Sequence, residues 1–328
     1  MRALTFVTVL VLAATTAHIG LAAPRSGKIR VILDTDANNE LDDQHAIAYL
    51  LLNADVFDVE GITVNRTQSG GGIDEHYGEA VRMVNLCARH PEVKVYRGAD
   101  KAFNDIKSRV GRPDFDGADA VRFIIERARA RDDRRLVLLA VGKLTNVALA
   151  LAKAPDIAPR VRIVWLGSNY PEPGEYNQLN DEPSLQYILD TRADFEIAVV
   201  RYDQPSGTDA VRVTLAEIQR NMPGKGPRVD PPVRGRHGGA FSNFGDYSVN
   251  LFEHIELAGT PPSRALYDMA AAAIVKNPAW ASRVTIPAPL LKDGSWVDRP
   301  KNRRTIVLWE HFDRGSIIKD FYETVARD

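Results

Sequence analysis

A single cysteine, Cys87, is present in the 328 residues, so the chain has no internal disulfide to stabilise it. Cys and His residues at the spacing of a zinc site are also absent. Lys and Arg number 42 against 43 Asp and Glu, a balance that gives no support to nucleic acid or an anionic membrane as a partner. These absences favour a protein that is stabilised by its apolar core, with Cys87 as a buried thiol, and they allow a small neutral molecule as its partner.

Long apolar runs are missing too, except near the N-terminus, where an apolar stretch at 4–14 follows Arg2. This stretch is too short to span a bilayer, and small residues around Ala22 follow it, a pattern typical of a secretory signal peptide. We therefore predict a signal peptide over residues 1–22 and a secreted or periplasmic mature chain. Residues 27–328 show no internal repeat and no low-complexity linker, which predicts one domain.

Short β-branched runs alternate with helix-like stretches along this domain. The predicted strands lie at 28–33, 59–64, 93–96, 135–141, 160–166, 195–200 and 303–309. The predicted helices lie at 43–53, 73–89, 118–130, 145–153, 182–190, 247–257 and 266–276, and a further amphipathic helix closes the chain. Apolar strands separated by amphipathic helices indicate an α/β fold with an open, mostly parallel sheet and helices on both faces. A basic, Pro/Gly-rich stretch at 222–240 predicts a functional lid or a disordered segment.

Polar residues cluster where the predicted strands end. In open α/β sheets ligands bind beyond the carboxyl ends of the strands. The residues at those ends are Asp34 and Asp36 after the first strand, Asn65 after the second, Val141 after the fourth, and the segment from Asn169 to Asn177 after the fifth. The sequence therefore predicts a site along this edge of the sheet.

The stretch DTDANNELDD, residues 34–43, concentrates five acidic side chains, and no Lys or Arg lies between Arg30 and Arg66. Crowded carboxylates in a crevice need a counter-charge, and oxygen-only ligands suit Ca²⁺ or Mg²⁺. EF-hand spacing is absent, so a metal site would be assembled from distant parts of the chain, with Asp268 as a further candidate ligand. The alternative interpretation is helix capping, by Asp42 and Asp43 through the helix dipole and by Asp268 as an N-cap.

Eight short motifs then carry a family resemblance. In chain order they are VILDTD, the DD that opens a helix, GITV, VYRGA, LLAVGKLTNVALAL, WLGSN, EYN and LYDMAA. Together they resemble the inosine/uridine-preferring nucleoside hydrolases over nearly all of the mature chain. The resemblance implies that family's open α/β fold with a Rossmann-like core, a tightly bound Ca²⁺, hydrolysis of the N-glycosidic bond of ribonucleosides, and a homodimer or homotetramer.

The resemblance also implies roles for individual residues. The implied Ca²⁺ ligands are the side chains of Asp36, Asp43 and Asp268 and the main-chain oxygen of Val141, with Asp34 orienting the site. The implied substrate-binding residues are Asp42, Asn169, Glu175 and Asn177, to which the strand-end position adds Asn65. In the implied chemistry Asp36 takes a proton from a metal-bound water that attacks the anomeric carbon. Asp42 and Glu175 would stabilise oxocarbenium character on the sugar.

Two departures from the family pattern concern the loop and the leaving group. The family commonly has DTDPGxDD, whereas this chain lacks the Pro-Gly and has two more residues, so Asn38, Asn39 or Glu40 is expected to enter the site. Many members have a His before the last metal ligand, as an acid for the departing base. Here Tyr267 stands at that place, and His237 and His45 are other candidates for contact with the leaving group.

Three hypotheses remain open on the sequence alone. The first is an exported Ca²⁺-dependent ribonucleoside hydrolase that salvages or degrades extracellular nucleosides. The second keeps the chemistry but changes the substrate to another ribosyl or sugar compound. The third is a non-catalytic carbohydrate-binding module, which the complete set of Asp36, Asp43 and Asp268 disfavours because a binder has little need for a metal site.

Overall fold

The computed structural model describes residues 27–327, and the predicted signal peptide lies outside the described residues. The strands are β1 Ile29–Thr35, β2 Phe57–Val64, β3 Val95–Arg97, β4 Leu136–Ala140, β5 Val161–Leu166, β6 Asp194–Ala198, β7 Arg212–Thr214, β8 Val233–Arg234, β9 Ala240–Phe241, β10 Ser263–Ala265, β11 Ser282–Pro287, β12 Leu290–Lys292, β13 Ser295–Val297 and β14 Thr305–Glu310. The helices are α1 Asp42–Leu52, α2 Ile73–Leu86, α3 Phe103–Ile106, α4 Ala118–Arg129, α5 Thr145–Lys153, α6 Tyr176–Asn180, α7 Glu182–Leu189, α8 Leu215–Asn221, α9 Phe244–Glu253, α10 Tyr267–Lys276 and α11 Arg314–Val325.

Eight strands form one sheet, in the order β11-β14-β6-β5-β4-β1-β2-β3. Every neighbouring pair is parallel except β11 and β14, which are antiparallel. The carboxyl ends of β1, β2, β4 and β5 therefore meet at one edge of the sheet. The predicted open, mostly parallel sheet is confirmed.

Two apolar cores cover the two faces of this sheet. Side chains alternate along a strand, so Val31 and Leu33 of β1 belong to the core beneath α1, α2 and α10, whereas Ile32 belongs to the core beneath α4, α5 and α7. Cys87 is buried in the first core, as predicted. Helices cover both faces because the central strands present apolar side chains to each, as in β4, where all five residues are apolar and buried.

The C-terminal part differs most from the pattern-based prediction. The edge strand β11 is largely exposed and lacks the continuous apolar run that marks the central strands. The basic stretch 222–240 contains the short strand β8, which pairs with β9. Across residues 27–327, no helix combines the length and apolar character that crossing a membrane requires.

Candidate active site

The polar residues predicted at strand ends lie along the carboxyl edge of the sheet. Asp36 follows β1 directly, Asn65 follows β2, and Val141 follows β4, and all three are buried. Asn169 comes three residues after β5 and is also buried. The sheet topology thus brings together residues that are more than 100 positions apart in the sequence.

Asp34, the penultimate residue of β1, is the hydrogen-bonding centre of this edge. Its carboxylate accepts from Thr63 Oγ1 at 2.6 Å, Asn65 Nδ2 at 2.6 Å and Asn146 Nδ2 at 2.8 Å. Burial raises the pKa of Asp34 to about 6, although these three donors act to lower it. The bond from Asn65 ties its side-chain amide to Asp34, a contact compatible with the orienting role predicted for Asp34.

Asp36 presents one free carboxylate oxygen. Oδ2 accepts from Asn39 Nδ2 at 2.6 Å and from the Thr67 hydroxyl, whereas Oδ1 is buried and has no hydrogen-bond partner among residues 27–327. A methyl group on Gly142 would lie 2.7 Å from Asp36 Oδ1 and 2.9 Å from Asn65 Oδ1. Glycine at 142 thus leaves space beside two oxygens that can accept hydrogen bonds or bind a cation.

Three further carboxylates converge beside this edge. One oxygen from each of Asp42, Asp43 and Asp268 lies within 4.8 Å of the other two. Asp42 and Asp43 form the first turn of α1, and Asp268 is the second residue of α10, whose N-cap is Leu266. The predicted N-cap role of Asp268 therefore does not apply. Asp36 is not within this tight group, but its charge repels Asp43 and Asp268.

The electrostatics of this acidic group call for a cation. Burial raises the pKa values of Asp42, Asp43 and Asp268 well above the usual range, and repulsion from neighbouring carboxylates raises them further. Burial likewise raises the pKa of Asp36 to about 8. Buried carboxylates in such a group are stable as anions only with a counter-charge. Their oxygen-only donor set, together with the unpartnered Oδ1 of Asp36, fits a hard cation such as Ca²⁺ or Mg²⁺.

Two of the residues implied to hold the sugar, Asn177 and Glu175, lie near the ends of β4 and β5. Asn177 Nδ2 donates to the main-chain oxygen of Val141 at 2.9 Å and to that of Leu166 at 3.2 Å, which leaves Asn177 Oδ1 buried without a partner in the described chain. Glu175 is the N-cap of α6 and accepts from the main-chain N–H of Ser168 and of Gln178 through Oε2. These bonds fix both side chains at the ends of β4 and β5.

The candidate leaving-group residues have other partners. Tyr267 donates its hydroxyl to Asp209 Oδ1 at 2.6 Å, and its ring contacts Tyr202 edge-to-face at 6.1 Å between centroids. His237 is exposed, accepts from Arg236 Nε at 2.9 Å, and stacks on His254 at 4.8 Å. Asn169 accepts from the main-chain N–H of Tyr202 at 3.3 Å, so Tyr202, with Tyr267 packed against it, is the aromatic neighbour of Asn169.

The loop between β1 and α1 is held by residues that no motif identified. Arg236, from the basic stretch, donates to the main-chain oxygens of Asn38 at 3.1 Å and Glu40 at 2.8 Å. His76 Nδ1 lies 2.8 Å from the main-chain oxygen of Asp36. Arg264 forms an ion pair with Glu40. The basic stretch therefore packs on the acidic loop as a cover, and charge complementarity was the one sequence signal for this contact.

Comparisons with known proteins identify the family and the fold. The family model for inosine-uridine preferring nucleoside hydrolases matches residues 31–325. The pyrimidine-specific ribonucleoside hydrolase RihB of Escherichia coli is 29% identical over 258 residues, which cover 71% of this chain and 75% of that protein. A plant nucleoside hydrolase structure has a TM-score of 0.70 at 18% identity, covering 92% of this chain and 99% of that one. The purine-preferring ribonucleoside hydrolase from Gardnerella vaginalis has a TM-score of 0.67 at 21% identity, covering 90% and 98%. The solved structures share the open α/β fold.

Proposed function

The chain belongs to the inosine-uridine preferring nucleoside hydrolase family, and we propose that it hydrolyses ribonucleosides to free base and ribose with Ca²⁺ bound at the acidic edge of the sheet. Its class, a hydrolase acting on N-glycosyl compounds, follows from the family. The observation that carries the finer proposal is the buried group of Asp42, Asp43 and Asp268 beside the unpartnered Oδ1 of Asp36. These oxygens need positive charge, and they adjoin acceptors suited to a sugar.

The side chains of Asp36, Asp43 and Asp268 and the carbonyl of Val141 are proposed to hold the cation. When bound, Ca²⁺ supplies the positive charge that stabilises the carboxylates as anions and makes a nearby water more acidic. The Val141 oxygen already accepts from Asn177, and a carbonyl oxygen has a second lone pair for a further contact. This arrangement supports a site in which Val141 contacts both the proposed cation and Asn177, which is proposed to bind the sugar.

Asp36 is proposed as the general base. Its Oδ1 is the free oxygen, so it can accept a proton from a water that attacks C1′ of the ribose. The water oxygen forms the new bond to C1′, and the C1′–N bond breaks with its electron pair leaving on the base. Asp42 and Glu175 supply negative charge near the sugar, which favours the oxocarbenium-like transition state.

The sugar hydroxyls have candidate acceptors. Asn65 Oδ1 and Asn177 Oδ1 are buried and unpartnered within the described part of the chain. A buried acceptor without a donor is unfavourable, and ribose hydroxyls would supply the missing donors. Holding the sugar in this way orients the anomeric carbon toward Asp36.

A nucleoside panel tests this proposal. The purified mature chain is incubated with purine and pyrimidine nucleosides, with and without chelator, and free ribose is measured. The Asp36→Asn variant is assayed in parallel. We expect ribose release that chelation abolishes and that Asp36→Asn lowers by about 10²–10⁴. Release that is insensitive to both changes would contradict the mechanism, and no release from any nucleoside would contradict the substrate.

Export and assembly are also part of the proposal. The N-terminal pattern over residues 1–22 supports a secreted or periplasmic enzyme that acts on extracellular nucleosides, and the family resemblance supports a homodimer or homotetramer. Cell fractionation with N-terminal sequencing of the mature chain tests the first point, and a sedimentation measurement of mass tests the second. A cytoplasmic chain that retains Met1, or a monomer at working concentration, would contradict them.

A further inference from the structure

A positively charged side chain lies beside the acidic group. The strand that carries it has no role in the chemistry described so far. Arg264 is in β10 and pairs with Glu40 of the β1–α1 loop. Its side chain is 21% exposed. Burial acts to lower the pKa of Arg264, but Glu40, Asp42 and Tyr267 together raise it. The guanidinium therefore stays charged while facing Glu40, Asp42 and Tyr267.

Arg264 has a donor to spare. A guanidinium carries five N–H donors in a fixed plane, and the pair with Glu40 engages Nη2. The Nε of Arg264 is buried and has no acceptor within residues 27–327. Because a buried donor without an acceptor is unfavourable, this N–H is suited to an acceptor on a ligand.

The other candidates for contact with a departing base have hydrogen-bond partners of their own or lie at the surface. Tyr267 donates its hydroxyl to Asp209, and burial together with that bond raises its pKa. His237 is on the surface beside Arg236. Both ring nitrogens of His45 have partners, the Leu41 oxygen at 2.6 Å and Ser248 Oγ at 2.8 Å. None of these three groups presents a free donor to the acidic group.

We propose that Arg264, positioned by Glu40, hydrogen-bonds the departing base and stabilises the negative charge that develops on it. The proposal rests on the proposed nucleoside hydrolysis. As the C1′–N bond breaks, its electron pair moves onto the base nitrogen, and the guanidinium holds this charge without giving up a proton. The base anion then takes a proton from solvent and Asp36 returns to solvent the proton that it took from the attacking water, so nucleoside and water give free base and ribose. A guanidinium only donates, so the favoured leaving groups carry a carbonyl oxygen or a ring nitrogen acceptor.

Two substrates with different leaving groups test this role. Inosine leaves a base that needs stabilisation, whereas p-nitrophenyl β-D-ribofuranoside leaves a phenolate that is stable alone. With inosine we expect Arg264→Gln to lower kcat by about 10²–10³, the cost of losing one preorganised donor to developing charge. With the nitrophenyl riboside we expect less than about a tenfold loss, because the nitrophenolate delocalises its own charge and depends little on a donor from the protein. Arg264→Lys should restore part of the inosine rate, and Glu40→Gln should show the same substrate dependence, more weakly.

The outcomes separate this role from a structural one. Arg283→Gln, an exposed arginine on β11, is the matched control and should leave both rates unchanged. Equal losses on the two substrates, or no loss on inosine, would overturn the role of Arg264. Where Arg264→Gln does not fold, Arg264→Lys and Glu40→Gln decide the question by the same comparison. Where the wild-type chain does not cleave inosine, a nucleoside that it does cleave takes its place in this comparison, and failure to cleave any nucleoside would overturn the proposed function itself.

Discussion

The side-chain amide of Asn39 donates to Oδ2 of Asp36 at 2.6 Å. Asn39 belongs to the part of the loop that differs from the family pattern, yet it contacts Asp36, the proposed general base, directly. With Thr67 on the same oxygen, it leaves Oδ1 as the oxygen that can accept a proton. The loop segment that differs from the family pattern therefore adds a residue that orients Asp36.

Replacing Asn39 tests this orientation. Asn39→Ala removes one of two donors to Oδ2, so the carboxylate can rotate, and we expect kcat for nucleoside hydrolysis to fall about 10–100-fold. Asn104→Ala, at an exposed position of α3, is the control. A rate within twofold of the control (about 0.4 kcal/mol) would show that Thr67 alone orients Asp36.

Gly142 provides a steric prediction. Its added methyl would lie 2.7 Å from Asp36 Oδ1, which is closer than a carbon and an oxygen pack, so Gly142→Ala must displace Asp36 or Asn65. We expect activity to fall by about 10²-fold while the circular dichroism spectrum stays native. Gly111→Ala, where a methyl meets no atom within 4 Å, is the control. Full activity in Gly142→Ala would mean that this space is not used by water or sugar.

Asp34 provides a stability prediction. Asp34→Asn keeps the shape but places an NH₂ against donors from Thr63, Asn65 and Asn146. We expect a loss of about 1–3 kcal/mol in the free energy of unfolding, measured by urea denaturation, together with a lower rate because Asn65 is no longer held. Asp133→Asn, at an exposed position, should change neither quantity. An unchanged unfolding midpoint in Asp34→Asn would contradict its role as the centre of this network.

Cation binding should stabilise the fold. A ligand that binds only the native state adds about 2.7 kcal/mol at a hundredfold excess over Kd, so Ca²⁺ should raise the melting temperature of the chelator-treated chain. Asp43→Asn and Asp268→Asn should each reduce that rise, because both lie in the buried acidic group. An equal rise in these variants and in wild type would place the cation elsewhere.

The sequence predicted the central sheet and its polar edge for a simple physical reason. Strands buried on both faces are continuous apolar runs, so the positions after them, such as Asp36, Asn65 and Val141, could be identified without the structure. The parallel order then brings those positions together. The same rule located the segment from Asn169 to Asn177, whereas the individual roles of Glu175 and Asn177 were assigned through the family resemblance.

The individual contacts that cover the site could not be predicted, although the basic composition of 222–240 pointed to a lid. Arg236 and Glu40 are 196 residues apart, and Arg236 lies in a stretch without periodicity. His76 lies on the buried side of α2, where nothing in the local sequence points to Asp36. The edge strand β11 was missed because its side chains are mostly exposed. Each of these features depends on long-range packing, which a single sequence does not encode locally.

The most direct test of Ca²⁺-dependent hydrolysis is the rate of ribose release as the chelator-treated chain is titrated with Ca²⁺. The substrate is a nucleoside that the wild-type chain cleaves. We expect no release without Ca²⁺, a rise that saturates near equimolar cation when binding is tight, and no recovery in Asp268→Asn at the same concentrations. Full-rate release from the Ca²⁺-free chain would contradict it.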